Sequence, residues 1–351
     1  MRRQVPVLSE GDLALIHALQ LRPRASWTEL GRTLGVDAVT AARRFRQLTE
    51  RGEAWVGVSP GPTLLHRLCV AFAEIDCAAG AADAVAGALR GHPHAVTIER
   101  TADTHRLLAT VVTADIAAMA RYTLDVLSAV PGIAAVRTRI VTHMFAEGGQ
   151  WQIDALDREQ RSLLRTPPGG GETGRGTGSE EITSRDRTLL SLLHYDGRAS
   201  FQTLAEALGT TAFTVRRRLD RLTRLGLVRF RCDFARPLGG WPVAVTFWAT
   251  APVRELPAVG HALVRLPEVR NCAAVTGEHN LVVQATLHSV SDVPRLEIRL
   301  CDVHPGLVVT DRTMTLRHDK LLGRVLDPRG RSLGVVPPDV WCEPGTSAPA
   351  P

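Results

Sequence analysis

Lysine is almost missing from this sequence. Lys320 is the only one among 42 lysines and arginines, so arginine serves as the general cation and a lone arginine says little about function. Tyrosine is nearly as scarce, with Tyr122 and Tyr195 alone. No stretch approaches the ~20 uninterrupted apolar residues that a membrane-spanning helix needs. The opening MRRQVPVLSEGD carries two arginines without the apolar run of a secretion signal. A cytoplasmic protein with no membrane partner is expected. The six cysteines (Cys69, Cys77, Cys232, Cys272, Cys301, Cys342) include no CxxC, and no histidine stands at zinc-ligand spacing from them. They are expected to be reduced thiols. The HPH triplet of His92 and His94 has no acidic or cysteine companion and is expected to be a loop. No Ser/His/Asp order, paired-carboxylate site, phosphate-cradling glycine loop or metal set emerges, so no catalytic residue, metal or cofactor is expected.

What the chain does have is length and a concentration of charge. Its 351 residues, 44% of them apolar, suffice for about two domains with real cores. Residues 182 to 231 hold ten arginines against four acids, Asp186, Asp196, Glu206 and Asp220, and so carry a net +6 by themselves. Within them, TAFTVRRRLDRLTRLG (211 to 226) sets Val215, Leu219, Leu222 and Leu225 at helical period. Arg216, Arg217, Arg218, Arg221 and Arg224 are left on the flanks and the opposite face. Such a face is either simply solvated or meets a polyanion, and clustering on one helix above an arginine-rich background favours nucleic acid.

The chain is also written twice. Residues 25 to 56 lie over 199 to 230 at a constant offset of 174: Ala25, Ser26, Leu30, Leu34, Gly35, Thr40, Arg43, Arg44, Leu48 and Gly52 recur as Ala199, Ser200, Leu204, Leu208, Gly209, Thr214, Arg217, Arg218, Leu222 and Gly226. The same offset pairs Pro131 and Gly132 with Pro305 and Gly306, so the duplication spans whole modules, roughly 8 to 145 and 182 to 320.

Each module opens with three helices. The cap signals are Ser9 with Asp12, Ser26 with Glu29, and Asp37 in the first, and Thr183 with Asp186, Ser200, and Thr211 in the second. A glycine and a turn of about three residues between the second and third helices is the helix-turn-helix arrangement, whose last helix enters the DNA major groove. Guanidinium binds phosphate and guanine edges bidentately. The candidate DNA contacts are therefore Thr211, Thr214, Arg216, Arg217, Arg218, Arg221 and Arg224, with Thr40, Arg43, Arg44 and Arg46 in the first copy. The third helix carries +4 over 212 to 225 and +2 over 38 to 50, so the second copy is expected to grip DNA harder. The alternative is a three-helix packing unit that serves assembly. Segment 8 to 58, with seven arginines and six acids, fits that better than the second copy does.

After each three-helix unit, strands and helices alternate. PVAVTFWAT, ELPAVGHALVRL, VRNCAAVTG, LVVQATLH, VPRLEIRLCDV and LVVTDRTMTLR read as βαββαβ, the ferredoxin-like order. LCVAFAEID, ADAVAGAL, AVTIERTA, LLATVVT, IAAMARYTLDVL and IAAVRTRIV repeat it in the first module. Helices then cover one sheet face and leave the other for a partner sheet. The expected fold class is α+β, a tandem repeat of a winged-type helix-turn-helix and a ferredoxin-like domain. Its parts are DNA-binding domains at 8 to 58 and 182 to 231, and βαββαβ domains at 64 to 145 and 240 to 320. A short helix (WQIDALDREQRSLL) and a Gly/Pro-rich flexible linker fill 146 to 181, and a disordered tail covers 337 to 351.

A third helix of the form TAFTVRRRLDRL, followed by a βαββαβ domain with the turn Thr276, Gly277, Glu278, His279, Asn280, Leu281, resembles the Lrp/AsnC family of bacterial transcriptional regulators. The resemblance covers nearly the whole chain as two fused copies. It implies a regulator that binds double-stranded DNA and whose second domain pairs sheet to sheet into oligomers. In many members that domain senses an amino acid or another small molecule, and Gly277, Glu278, His279 and Asn280 would belong to the effector site. Asn280 stands where an acidic residue is usual. The first copy has Thr101, Ala102, Asp103, Thr104, His105 and Arg106, without the glycine that permits positive φ, which makes its turn a structural one. Family proteins pair two chains; this one is expected to fold back as a covalent pseudo-dimer, its linker having an r.m.s. reach of ~20 Å. The same plan resembles the siroheme decarboxylases, which sometimes occur as fused halves. That enzyme reading needs basic and histidine residues on tetrapyrrole carboxylates, and a tyrosine-asparagine-aromatic turn where this chain has His279, Asn280 and Leu281.

Overall fold

A computed structural model of the chain describes residues 8–164 and 181–345. The expected linker, 167 to 181, lies outside the described residues except for Glu181. The first copy runs α1 (Glu10–Leu21), α2 (Trp27–Leu34), α3 (Ala38–Glu50), β1 (Ala54–Pro60), α4 (Pro62–Leu65), β2 (Cys69–Cys77), α5 (Ala82–Arg90), β3 (Ala95–Thr101), β4 (Arg106–Thr113), α6 (Ile116–Arg121) and β5 (Ile133–Ala146), then α7 (Arg158–Leu164). The second runs α8 (Ser184–Tyr195), α9 (Phe201–Leu208), α10 (Ala212–Arg224), β6 (Val228–Phe234), β7 (Val243–Thr250), α11 (Leu256–Leu263), β8 (Val269–Val275), β9 (Leu281–Leu287), α12 (Val293–Asp302) and β10 (Val308–Leu321), followed by β11 (Arg324–Leu326) and β12 (Ser332–Val335). These elements form two compact units, each holding part of both copies: a helical unit, Leu8–Arg67 with Gln152–Ala235, and a sheet unit, Leu68–Trp151 with residues 236–345.

In the helical unit the helix starts follow from local chemistry. Ser9 with Asp12 and Thr183 with Asp186 form complete capping boxes, each satisfying donors that the first turn leaves open. Ser26 caps α2 through the Glu29 N–H, but the Glu29 carboxylate turns to Arg22 at 3.3 Å and closes no box. α2 and α9 end on Gly35 and Gly209, both left-handed (φ 66° and 59°), which aims the chain into the third helix. α3 buries Ala41, Phe45 and Leu48, and α10 buries Val215, Leu219 and Leu222. The strand after each third helix is too short to stand alone. β1 and β6 pair with each other, antiparallel, from Ala54 opposite Phe234 to Pro60 opposite Val228.

A second contact between the copies is written twice. Arg24 donates to the carbonyls of Gly197 (2.6 Å) and Ala199 (2.9 Å), and Arg198, its counterpart at the 174 offset, donates to those of Pro23 (2.6 Å) and Ala25 (2.8 Å). Arg24 lies 5.0 Å from the Phe201 ring centre and Arg198 lies 4.0 Å from that of Trp27, again equivalent positions. Burial lowers the pKa of both guanidinium groups, that of Arg198 to about 10.

The helix that closes the first module is shorter than its apolar spacing suggests. Asp157 and Gln160 form a reciprocal cap (2.8 and 3.1 Å) that starts α7 at Arg158. The non-helical residues before it are held by α1: Gln20 Oε1 accepts from the Ile153 N–H at 2.9 Å, and His17 Nδ1 accepts from those of Ala155 and Leu156, both at 3.1 Å. Burial, and secondarily Arg161, lowers the His17 pKa to about 4, which keeps Nδ1 an acceptor.

In the sheet unit each βαββαβ half has its first strand between the third and the fourth, in the orders β3-β4-β2-β5 and β8-β9-β7-β10. β5 and β10, of 14 residues each, are long enough to serve both halves. β5 pairs with β2 up to Ile140 and then with β8 from Val141; β10 pairs with β7 and then, from Thr315, with β3. The halves therefore close into a ring of eight antiparallel strands, which hides the edges a lone half would expose. The pairing expected between two family chains is made inside one. Helix-side cores form around Ile75, Leu89 and Leu107 in the first half and Phe247, Leu263 and Leu296 in the second, while Phe72, Leu108, Trp248 and Val282 cluster on the other face.

The expected disorder from residue 337 is corrected in part. Beyond β10 the chain adds β11 and β12, and the segment up to 345 is folded. Val340 is buried, Asp339 Oδ1 accepts from the N–H groups of Trp341 (3.1 Å) and Cys342 (3.2 Å), and Glu343 pairs with Arg121 at 2.7 Å. Composition misleads here because Arg121, which holds Glu343, lies 222 residues away in sequence. Residues 346–351 lie outside the described residues. His92 and His94 sit in a loop against Tyr122, and none of the six cysteines is in a disulfide. Among the described residues, no helix is long and apolar enough to cross a membrane.

Candidate nucleic-acid interface

The expected DNA contacts separate into outward and inward groups. Arg216, Arg217 and Arg224 of α10 are exposed; Arg216 has only a loose pairing with Asp220 at 3.9 Å. Arg218 and Arg221 turn the other way. Their guanidinium groups reach the Asp186 carboxylate of α8 at 3.4 and 3.1 Å, and that carboxylate is 1% exposed while it also closes the cap at Thr183. The first copy repeats this more weakly, with Arg44 at 3.7 Å from Asp12, the counterpart of Asp186. Arg43 and Arg46 remain exposed, Arg46 at 3.9 Å from Glu50. A helical wheel places Arg44, Arg218 and Arg221 only on the flanks of the apolar stripe; the acid that captures them belongs to another helix.

Thr211 caps α10, while Thr40 and Thr214 bond to the caps Asp37 and Thr211 from the third helical position. Thr211 Oγ1 accepts from the Thr214 N–H (3.2 Å), and the two hydroxyls lie 2.9 Å apart. Thr40 donates its hydroxyl to Asp37 at 2.6 Å, and this bond, with backbone donors, holds the Asp37 carboxyl below its ordinary pKa. The outward charge is thus three arginines against Asp220 on α10 and two against Glu50 on α3. The inequality between the copies persists but narrows. Two residues that sequence reasoning passed over stand beside these arginines: Phe213 and Val39, 73% and 76% exposed. Their positions off the apolar stripe were the available signal.

The four residues of the expected effector turn come together between β8 and β9. Gly277 has φ 108°, a conformation that calls for glycine. Glu278 is exposed and pairs with Arg139 at 3.2 Å, a bond that lowers its pKa. Arg139 is itself buried, shared with Glu74 and 4.8 Å from the Trp248 ring centre. His279 meets Thr310 Oγ1 at 2.8 Å. Asn280 is a stitch: its Oδ1 accepts from the Ala251 N–H (3.0 Å) and its Nδ2 donates to the Ala251 carbonyl (2.7 Å). A separate cavity of about 280 Å³ lies beside the first copy's turn, lined by Ala82, Arg100, Thr101, Asp103, Thr104, Arg106, Leu107, Leu316 and Arg317. Acids partner its arginines, Arg106 with Asp76 (2.7 Å) and Arg100 and Arg317 with Asp319 (2.7 and 2.8 Å).

Comparison with known proteins agrees with this geometry. The AsnC-type helix-turn-helix domain matches residues 8–49 and 182–223, and the Lrp/AsnC ligand binding domain matches 70–151. An uncharacterized HTH-type transcriptional regulator of Pyrococcus abyssi is 31% identical over 116 residues, which is 33% of this chain and 73% of that protein. A similar regulator of Pyrococcus horikoshii is 28% identical over 38% of this chain and 85% of its own length. These relatives are less than half as long as this chain. Among solved structures, the siroheme decarboxylase NirDL covers 93% of this chain and 95% of its own with a TM-score of 0.57; at 12% identity the likeness is one of fold. With two AsnC-type helix-turn-helix domains, each followed by a βαββαβ half, the chain belongs to the Lrp/AsnC family of transcriptional regulators and carries the family unit twice.

Proposed function

We propose that the chain binds double-stranded DNA sequence-specifically and uses α3 and α10 as paired but unequal reading helices. The carrying observation is the outward arginine stripe on both third helices, Arg43 and Arg46 on one and Arg216, Arg217 and Arg224 on the other. Each phosphate neutralised contributes ~0.9 to the slope of log affinity against log salt, so five such contacts give a slope magnitude of ~4 to 5. Titration of a selected duplex at several salt concentrations tests this. Arg217→Ala with Arg224→Ala lowers the slope by ~2 and costs more affinity than Arg43→Ala with Arg46→Ala. Salt-independent binding, or none, overturns the reading.

The Lrp/AsnC ligand binding domain match supports a small-molecule effector such as an amino acid, with the turn Gly277, Glu278, His279 and Asn280 as its candidate site. Thermal shifts with a panel of amino acids, lost in Glu278→Ala, are the expected result. Whole chains further associate through the outer helices of the sheet unit, where Ile116, Leu124 and their counterparts Val290 and Ile298 are exposed. Sedimentation as a strict monomer counts against that. Support for the enzyme alternative is the fold likeness; a purified chain that retains an iron tetrapyrrole, visible in its absorbance, would move the assignment there.

A further inference from the structure

We infer that Phe213 and Val39 are specificity-determining residues that read thymine through its C5-methyl group, one in each half of the bound site. The inference rests on the proposed DNA-binding role. Both residues hold the second position of their helix, one step inside the caps Thr211 and Asp37, and they are counterparts at the 174 offset. Phe213 is 73% exposed and Val39 76%. Large apolar side chains left in water at matching places in both copies gain nothing for the fold, so each copy keeps one there for a contact the free chain lacks.

Their neighbours identify that contact. Helical spacing puts Phe213 on one face with Arg216, Arg217, Asp220 and Arg224, and Val39 with Arg43 and Arg46, opposite the buried stripes. An apolar residue at the head of an arginine-bearing face fits poorly against a second copy of the same face, which would oppose like charges. It fits a DNA major groove, where arginines meet phosphates and the N-terminal residues of the helix meet base edges. The thymine methyl is the apolar group on those edges. Phenylalanine reaches further than valine, so the copies select thymines at inequivalent depths and the preferred site is not a perfect palindrome.

The test begins with selection of duplexes from a random pool by the whole chain, followed by replacement of each thymine in the selected site by uracil, which removes only the methyl group. At one or two thymines of the α10 half, uracil is expected to weaken binding about fourfold, the transfer free energy of one methyl-sized group. Phe213→Ala is expected to bind thymine and uracil duplexes equally at those positions, while remaining sensitive in the other half, where Val39→Ala removes the sensitivity. Unchanged melting temperatures establish that both surface variants fold. Discrimination that survives in Phe213→Ala, or a selected site indifferent to every uracil, overturns the inference while leaving DNA binding intact. A change in sedimentation of Phe213→Ala without a change in uracil response assigns the residue to protein contact and overturns it as well. Failure to select any duplex removes the DNA-binding role itself.

Discussion

Asp186→Asn is expected to weaken the fold and strengthen the grip on DNA at once. The carboxylate is 1% exposed and accepts from the Thr183 N–H (2.9 Å), the Thr183 hydroxyl (2.7 Å), Arg221 (3.1 Å) and Arg218 (3.4 Å). Charge-assisted bonds contribute ~1.5 to 3 kcal/mol each. The two arginines are 24% and 34% exposed and rehydrate when released, so roughly half of that is lost. Weakening the cap adds up to ~1 kcal/mol. The sum is about 2–4 kcal/mol, or a melting temperature lower by roughly 5–10 °C for a domain of this size. Asp12→Asn is the internal control: Asp12 is 21% exposed and its arginine stands off at 3.7 Å, so its loss is expected to cost about 1 kcal/mol or less. Arg218 and Arg221, once freed, reach solvent beside the outward stripe, and the salt slope for DNA rises by up to ~1.8. Thermal melts of both variants, followed by DNA titrations over a range of salt, measure the two effects. Equal melting of the two variants would falsify the anchoring role of Asp186, and an unchanged salt slope in folded Asp186→Asn would show that the arginines were never withheld.

Arg198→Ala leaves the Pro23 and Ala25 carbonyls without their donor and is expected to destabilise the helical unit by ~2–4 kcal/mol, with no rescue by Arg198→Lys, because one ammonium cannot hold both carbonyls and stack on Trp27; chemical denaturation measures it. His17 has a folded pKa near 4 against an ordinary 6.5, so the stability it supports is fully present above about pH 6.5 and is lost as pH falls towards 4. Hydrogen exchange at the Ala155 and Leu156 amides should quicken over that window, and His17→Ala should exchange fast at every pH. Burial takes the Lys320 amine down to about 7 from an ordinary 10.5. Above pH 7 the folded chain releases a proton that the unfolded chain keeps, so stability rises with pH between about 7 and 10, and Lys320→Met should flatten that rise in urea titrations. A wild-type profile flat over that range would refute it.

Much of the fold was legible because its signals are local. Ser9 with Asp12 and Thr183 with Asp186 cap the helices they precede, Gly35 and Gly209 end theirs, and the strand and helix periods mark βαββαβ in both copies. The 174-residue offset could be found in one dimension because duplication preserves spacing. That β1 takes β6 as partner, that β5 and β10 run past their own sheets to close an eight-stranded ring, and that residues 337–345 pack where their composition argues for disorder are facts of pairing between distant segments. The candidate site divides in the same way. Helical period placed five arginines of α10 off the core, but whether such a side chain faces the groove or its own protein depends on an acid carried by another helix. Asp186, buried at the start of α8, takes Arg218 and Arg221 and leaves Arg216, Arg217 and Arg224 outward. Charge composition is therefore settled by sequence alone, whereas the charge that a partner meets is settled by packing, because a guanidinium satisfied by a buried carboxylate no longer faces solvent.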